Sequence, residues 1–579
     1  MKLKRIFLTA ALLISINLSA QVYSSRQLIP SGHWIYDALY HLNLEQKRSS
    51  VLDNAPLSVD ELYLNFLQID EDNLSQAGKQ IYLSVEEFFE RKKFLLDFSD
   101  IKFTANIILN PTAVIRTNPE VDWTYASSYT ELNNYVSTDL MGKIYSQPAA
   151  VFPFILDFAQ TAYINVEPYA GAGPFWALTS DFYALNIPTG NNGAEFFMWP
   201  INADANIGHV FNGWGAELLC GRQGLEIGRT LSGSMIYNSS FQSDYFVQLN
   251  LFSPRLKYSM DIVQLDVSRF FYVHSAEIVP FTWLKLGIME GTLVHGPFEL
   301  RYLNPLIFMH AYSAWRQYSS EDELKFYGEA HYCAYFGWSF DITPCPYLRI
   351  YGLYSQNEIQ SSVELNNDYD YSYPDSIGLQ LGTELSIPAG NSGGYFKAGL
   401  EGIYTTPYMY LKQTKEASLV RIRENDVNSY GLGLISSWIG SPFGPDAAGG
   451  EISFGFKKPL KFNADLSYLF LAHGTNSFGL FDKKDVIKGY YSYYPSALYL
   501  QEKELGNNIA DQTTQARSYA LTNEVSYTNR IQLSAEYYFL KNLCIKGSGA
   551  YTFIFNHKGK AGEFAHSAEF MLGASYSVF

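Results

Sequence analysis

The sequence predicts a mainly β protein: a transmembrane outer-membrane β-barrel of roughly 16 to 20 antiparallel strands behind a small N-terminal periplasmic helical segment. Three observations carry this. First, the C-terminal region alternates with a period of two. Leu543, Ile545, Tyr551, Phe553 and Phe555 share one parity, while Cys544, Lys546, Ser548 and Thr552 hold the other, and Phe570 to Phe579 alternates again up to a terminal Phe. Such a rhythm over 10 to 13 residues gives a strand one face for lipid and one for water. Lipid offers the backbone no partner, so only a closed sheet or a helix can cross it. Second, no run of 18 apolar residues follows the N-terminus, because Ala149 to Ile164 is broken by Pro153, Asp157 and Gln160; membrane helices are thereby excluded. Third, Lys2, Lys4 and Arg5 precede the apolar run Ile6 to Ile14 and Leu18-Ser19-Ala20, the pattern of an export signal cut after Ala20.

The expected organisation is a signal peptide over 1–20, a periplasmic helical segment over 21–98 and the barrel over 99–579. In the helical segment Trp34, Ala38, Leu39 and Leu42 fall at helical spacing, as do Leu62, Phe66 and Ile69 and then Ile81, Val85 and Phe88. Ser58-Val59-Asp60-Glu61, directly after Pro56, reads as a capping box. The apolar stripes of these helices need a partner. The nearest is the barrel mouth, which they would plug; a second reading makes them a docking surface for another periplasmic envelope protein or for peptidoglycan.

Within the barrel, the C-terminus fixes orientation, since such chains end in the periplasm, with short turns there and longer loops outside. Short turns are expected at Thr343 to Tyr347, Pro388 to Gly394 and Leu540-Lys541-Asn542. The strands around them are Tyr332 to Ile342, Leu348 to Tyr354, Ile377 to Ile387, Phe396 to Tyr404, Phe462 to Ala472, Leu521 to Phe539 and Leu543 to Phe555. His473 to Arg517 then becomes the largest outer loop.

Composition agrees. The 45 Tyr and 40 Phe suit aromatic girdles at the two membrane interfaces, and only 17% of residues are charged. Removing the three cations of the signal takes the net charge from −16 to −19, which argues against nucleic acid as a partner. Outer-membrane lipid is the expected surrounding. Four Cys do not make a disulfide framework, and Cys333 and Cys345 are read as too far apart to bridge.

No catalytic or metal-binding constellation emerges, and neither enzyme activity nor a cofactor is expected. Gly390-Asn391-Ser392-Gly393-Gly394 matches a nucleophile-elbow pattern in letters, but it falls in a hairpin turn without the strand-to-helix context that presents a nucleophile. Polar residues of the central region, Arg222, Arg229, Glu290, Arg301 and His310, are read as a lumen network of paired charges that either braces a plug or lines a constriction.

A family resemblance joins these residues. Gly221-Arg222-Gln223-Gly224-Leu225-Glu226-Ile227-Gly228-Arg229, Ser232-Gly233-Ser234-Met235, His274 to Glu277, Gly287-Ile288-Met289-Glu290, Arg301-Tyr302-Leu303-Asn304-Pro305 and Gly440-Ser441-Pro442-Phe443-Gly444-Pro445-Asp446 resemble the succession in the Wzi family of capsule assembly proteins. The match runs from about Phe211 to Asp446. It implies an outer-membrane barrel of about 18 antiparallel strands with periplasmic helices that acts at the cell surface as a lectin for exported polysaccharide. A lectin needs aromatic faces and hydroxyl-binding acids or amides. Tyr490, Tyr491, Tyr493 and Tyr494, with Asp482 and Asp485, are the surface group of that composition, although the same Tyr would also suit an outer girdle. The competing expectation is a porin or selective solute channel.

Overall fold

The computed structural model describes residues 22–90, 94–118, 121, 144–147, 149–171, 198–238, 244–266, 268–310, 313, 332–359, 374–412, 415–427, 431–475, 497, 500, 504 and 516–578. The export signal and the Tyr490–Tyr494 group with Asp482 and Asp485 lie outside these residues.

Among the described residues, 23 strand segments form one closed antiparallel sheet. Counted as continuous staves they number 18, because the first two are each interrupted and one short segment, Leu96–Phe98, folds back on the first. Stave β1 comprises Ile101–Ala105, Ile108–Leu109 and Thr112–Arg116, and β2 comprises Ile144–Gln147, Ala149–Val151 and Phe154–Phe158. The others are β3 Ala162–Gly171, β4 Met198–Phe211, β5 Trp214–Gln223, β6 Asp244–Ser253, β7 Leu256–Asp266, β8 Arg269–Phe281, β9 Leu284–His295 and β10 Tyr332–Cys345. They continue as β11 Leu348–Glu358, β12 Ser376–Pro388, β13 Tyr395–Thr405, β14 Ala447–Lys458, β15 Phe462–His473, β16 Ser526–Leu540, β17 Leu543–Phe555 and β18 Phe564–Ser577. The barrel closes where β18 pairs with β1, Phe570 opposite Ile115 and Tyr576 opposite Leu109. Closure leaves no unpaired edge for lipid to satisfy.

Side-chain parity decides which face is which. On β16, Ile531, Leu533, Tyr537 and Phe539 point outward and are exposed, while Thr528, Arg530, Gln532 and Ser534 point inward. At the periplasmic turns, outward Phe211, Trp214, Phe281, Trp283, Phe396 and Phe539 form a belt, with Phe281 and Trp283 stacked at 5.6 Å. Rings of this kind settle at the lipid–water interface. The stave expected from Leu521 starts instead at Ser526, because Thr522 turns inward and its N–H donates to Asp446 Oδ1 at 3.2 Å.

The N-terminal segment folds as α1 Trp34–Glu45, α2 Val59–Phe66 and α3 Gln76–Phe89. Each begins on a side-chain cap. His33 and Ser75 cap α1 and α3, and Ser58 with Glu61 completes a capping box on α2. The inner stripes, Ala38, Leu39, Leu42, Leu62, Ile81 and Val85, are fully buried in one core that includes Tyr395 of β13. The helices therefore spend their apolar faces on one another and on the barrel mouth, which is the plug reading. Among the described residues no helix is long and apolar enough to cross a membrane.

Candidate functional site

The inner parity of the staves carries charge near the periplasmic end, and the plug supplies the opposite sign. Lys257 of β7 meets Glu61 of α2 at 2.7 Å. Lys285 of β9 is held by Asp53, which lies between α1 and α2, by Glu277 at 3.2 Å and by Asp341 at 3.0 Å. Arg349 of β11 binds Asp341 and Glu384 and lies 3.6 Å from Asp53. Lys397 of β13 reaches Glu384 at 3.0 Å and Asp37 of α1 at 3.4 Å, and Arg229 joins the same Asp37. The Lys285 and Arg349 side chains are 0% and 2% exposed. Charges this deep persist only when paired and hydrogen-bonded, so the network keys the plug to the wall.

Two groups on α1 report the environment. Burial opposes ionisation of Asp37, but Lys397 and Arg229 outweigh it and hold the carboxyl well below the usual carboxylate range. His41 stacks on Tyr395 at 4.1 Å with Nδ1 2.7 Å from Ser386 Oγ, and burial pushes its imidazole down to about 3.

The lumen is also filled from the outer side. The chain leaving β5 dives inward, where Glu226–Ile227 pairs with Asn54–Ala55 of the plug in a two-stranded antiparallel bridge. The segment between β13 and β14 folds in as well, as a hairpin of Val420–Val427 and Gly431–Trp438. Tyr335 and Tyr410 both donate to the Met235 carbonyl at 2.8 Å, and Arg421 is buried against Asp244 at 2.9 Å with Tyr237 beneath it. The glycines of the resemblance have a reason here. Gly233 holds a φ of +105°, and a Cβ at Gly440 would collide with the Met235 carbonyl and the Tyr410 ring.

Of the five residues expected in a lumen network, only Arg229 faces the lumen. Arg222 shares the outward parity of Trp214 and Leu218 and lies over the Tyr245 ring at 5.4 Å. Glu290 shares the outward parity of Leu286 and Ile288. Its carboxylate accepts the His310 backbone N–H at 3.0 Å, because residues 296–310 fold back over the outside wall and stack Tyr302 on Tyr272 at 4.6 Å. His310 and Arg301 belong to that outer flap, Arg301 largely exposed and paired with Glu299 at 3.0 Å. The network that does form could have been found by looking for charges on the polar parity of successive strands, as at Lys285, Asp341, Arg349, Glu384 and Lys397. Ser392 sits in the β12–β13 turn, where its Oγ donates to the Ala389 carbonyl at 2.7 Å. Among the described residues all four cysteines are free thiols.

A second arrangement lies where the plug leaves the wall uncovered. A cavity of about 470 Å³ opens between the start of the plug, staves β1 to β3 and staves β16 to β18. Tyr23, His33, Tyr163 and Tyr538 supply rings, and Asn165 and Asn542 supply amides. Above it Gln532, Ser534, Lys546 and Ser548 stay half-buried on the inner face, until Arg530, Thr552 and Ser567 close over.

With 18 staves, a three-helix plug and inward loops in place, the architecture can be compared. The fold is similar to that of Wzi. That protein, an outer membrane protein involved in group 1 capsule assembly in Escherichia coli and described as a carbohydrate-binding β-barrel, aligns with a TM-score of 0.54 and 11% identity over 94% of this chain and 98% of its own. OprD of Pseudomonas aeruginosa aligns more loosely, with a TM-score of 0.40 and 9% identity over 84% of this chain and 97% of its own. OccAB4 of Acinetobacter baumannii gives 0.39 and 10% over 82% and 97%. No family model and no curated protein matches the chain.

Proposed function

We propose that the protein is a closed outer-membrane barrel that binds and anchors exported surface polysaccharide, as a lectin of capsule assembly, and that it performs no catalysis. The carrying observation is the bridge between Glu226–Ile227 and Asn54–Ala55, which joins an inward outer loop to the periplasmic plug in mid-lumen. A barrel corked from both ends is poorly suited to passage and well suited to presenting loops. The likeness in fold to a carbohydrate-binding barrel points the same way. A glycan array probed with purified protein in detergent tests this. Selective binding is expected, and it is expected to drop when Tyr490, Tyr491, Tyr493 and Tyr494 are replaced by Ala; flat binding across the array removes the proposal.

The second reading, a porin or selective solute channel, draws support from the half-buried polar face of β16 to β18. It requires a continuous path past Arg530, Thr552 and Ser567, all at most 8% exposed on the described inner wall. Arg222, Glu290 and His310 cannot line its constriction, since they lie outside the lumen.

A further inference from the structure

We propose that the cavity at the periplasmic mouth is a binding site for a short, uncharged oligosaccharide. Its volume of about 470 Å³ falls within the roughly 300–1,000 Å³ of small-ligand pockets. The lining combines what a sugar requires. The half-buried ring of Tyr538 offers a face to CH groups, and half-buried Asn542 and Ser575 offer an amide and a hydroxyl to ligand hydroxyls, while buried Tyr163, Asn165 and Gln223 form the wall behind them. Asn165 is buried, and its Nδ2 donates to Glu167 Oε1 at 3.0 Å and Asp204 Oδ1 at 3.1 Å, while its Oδ1 has no hydrogen-bond partner. A buried acceptor without a donor is costly; this oxygen is closed to solvent in the structure, and a turn of the Asn165 side chain toward the cavity would let a ligand hydroxyl relieve it.

Charge selects against ionic ligands. Among the described residues that line it, Glu167 is the only carboxylate and Lys541 the only amine, and Lys541 is held by Glu87 of α3. Access is from the periplasm, because Lys541 and Asn542 form the β16–β17 turn at the rim. The direction of access rests on the closed-barrel reading; the ligand class rests on the lining alone. The site lies at the periplasmic mouth, so together with the proposed surface reading one chain would meet saccharide on both sides of the membrane.

Titration of the full-length protein in detergent with maltotriose, cellotriose and tri-N-acetylchitotriose, and with trigalacturonate as the charged control, tests the proposal by calorimetry. At least one neutral trisaccharide should bind and the charged one should not. Asn165→Leu should weaken binding at least tenfold, and Ser575→Trp, which fills the cavity from the wall, should abolish it. Circular dichroism of each variant checks that the barrel has formed. Absence of binding by every neutral trisaccharide, or binding indifferent to both substitutions, overturns the proposal. Replacing Tyr490, Tyr491, Tyr493 and Tyr494 by Ala should leave trisaccharide binding unchanged; if it abolishes that binding, the sugar sits at the outer surface and the cavity proposal falls while the surface reading stands. A flat glycan array alongside retained, Asn165-dependent trisaccharide binding removes the surface reading and keeps this one.

Discussion

Lys285 and Lys546 both point into the lumen, yet their surroundings differ in kind. Lys285 on β9 is fully buried among Asp53, Glu277 and Asp341, the first of which belongs to the plug. Lys546 on β17 is half-buried and in register with Glu536 on the neighbouring stave, two residues along from Cys544, which lines the cavity that the plug does not fill. One arc of the barrel, β6 to β13, is dry and keyed to distant chain segments; the other, β16 to β18, is small-residued and only half-buried in its periplasmic part, where it faces the cavity, and is by comparison the wet arc. The difference teaches where binding energy is committed. Dry ionic contacts fix the plug, and the wet arc retains room for a ligand.

The comparison can be broken by substitution. Arg349→Ala leaves Asp341 and Glu384 buried without their shared cation, a change that costs about 3–5 kcal/mol in such settings. Hydrogen exchange should show α1 losing protection while the staves keep theirs. Acid should loosen the same contact. His41 has a folded value of about 3 against an ordinary 6.5, so below pH 6.5 the released plug takes up a proton that the seated plug refuses. Seating is therefore strongest above about pH 6.5 and weakens as pH falls toward 3. Asp37, held low by Lys397 and Arg229, adds loss in the same direction once pH falls below the ordinary carboxylate value. Proteolysis of the plug as a function of pH reads both, and a plug equally resistant at pH 4 and pH 8 contradicts the assignment. Ser58→Ala removes one half of the capping box and should cost about 1 kcal/mol, confined to exchange in α2. Lys546→Ala, the matched change in the wet arc, should cost less than about 1 kcal/mol and leave plug protection unaltered. Equal effects from Arg349→Ala and Lys546→Ala would erase the distinction.

Much of this was legible. Strand parity placed the staves around Tyr332 to Tyr404, Phe462 to Ala472 and Leu543 to Phe555, because lipid enforces alternation along the chain itself. The Ser58–Glu61 box and the Ala38, Leu39 and Leu42 stripe placed the helices for the same local reason. Parity also held the answer for Glu290, which follows Leu286 and Ile288 on one face, and for Arg222, which follows Trp214 and Leu218. Reading them as lumen residues set chemistry above register. The flap that covers Glu290 was not legible, since Tyr302 meets Tyr272 only through the return of a loop over the outer wall. Nor was the pairing of Lys285 with Asp53, 232 residues apart, which depends on where the plug docks. The cavity was hidden for a related reason: Tyr23, Tyr163 and Tyr538 come from three distant parts of the chain.

Planar-bilayer recording tests the closed barrel most directly. The intact protein should be electrically silent at neutral pH, with current steps appearing in Arg349→Ala as the plug loosens. Steady, large open steps from the intact protein would contradict the account.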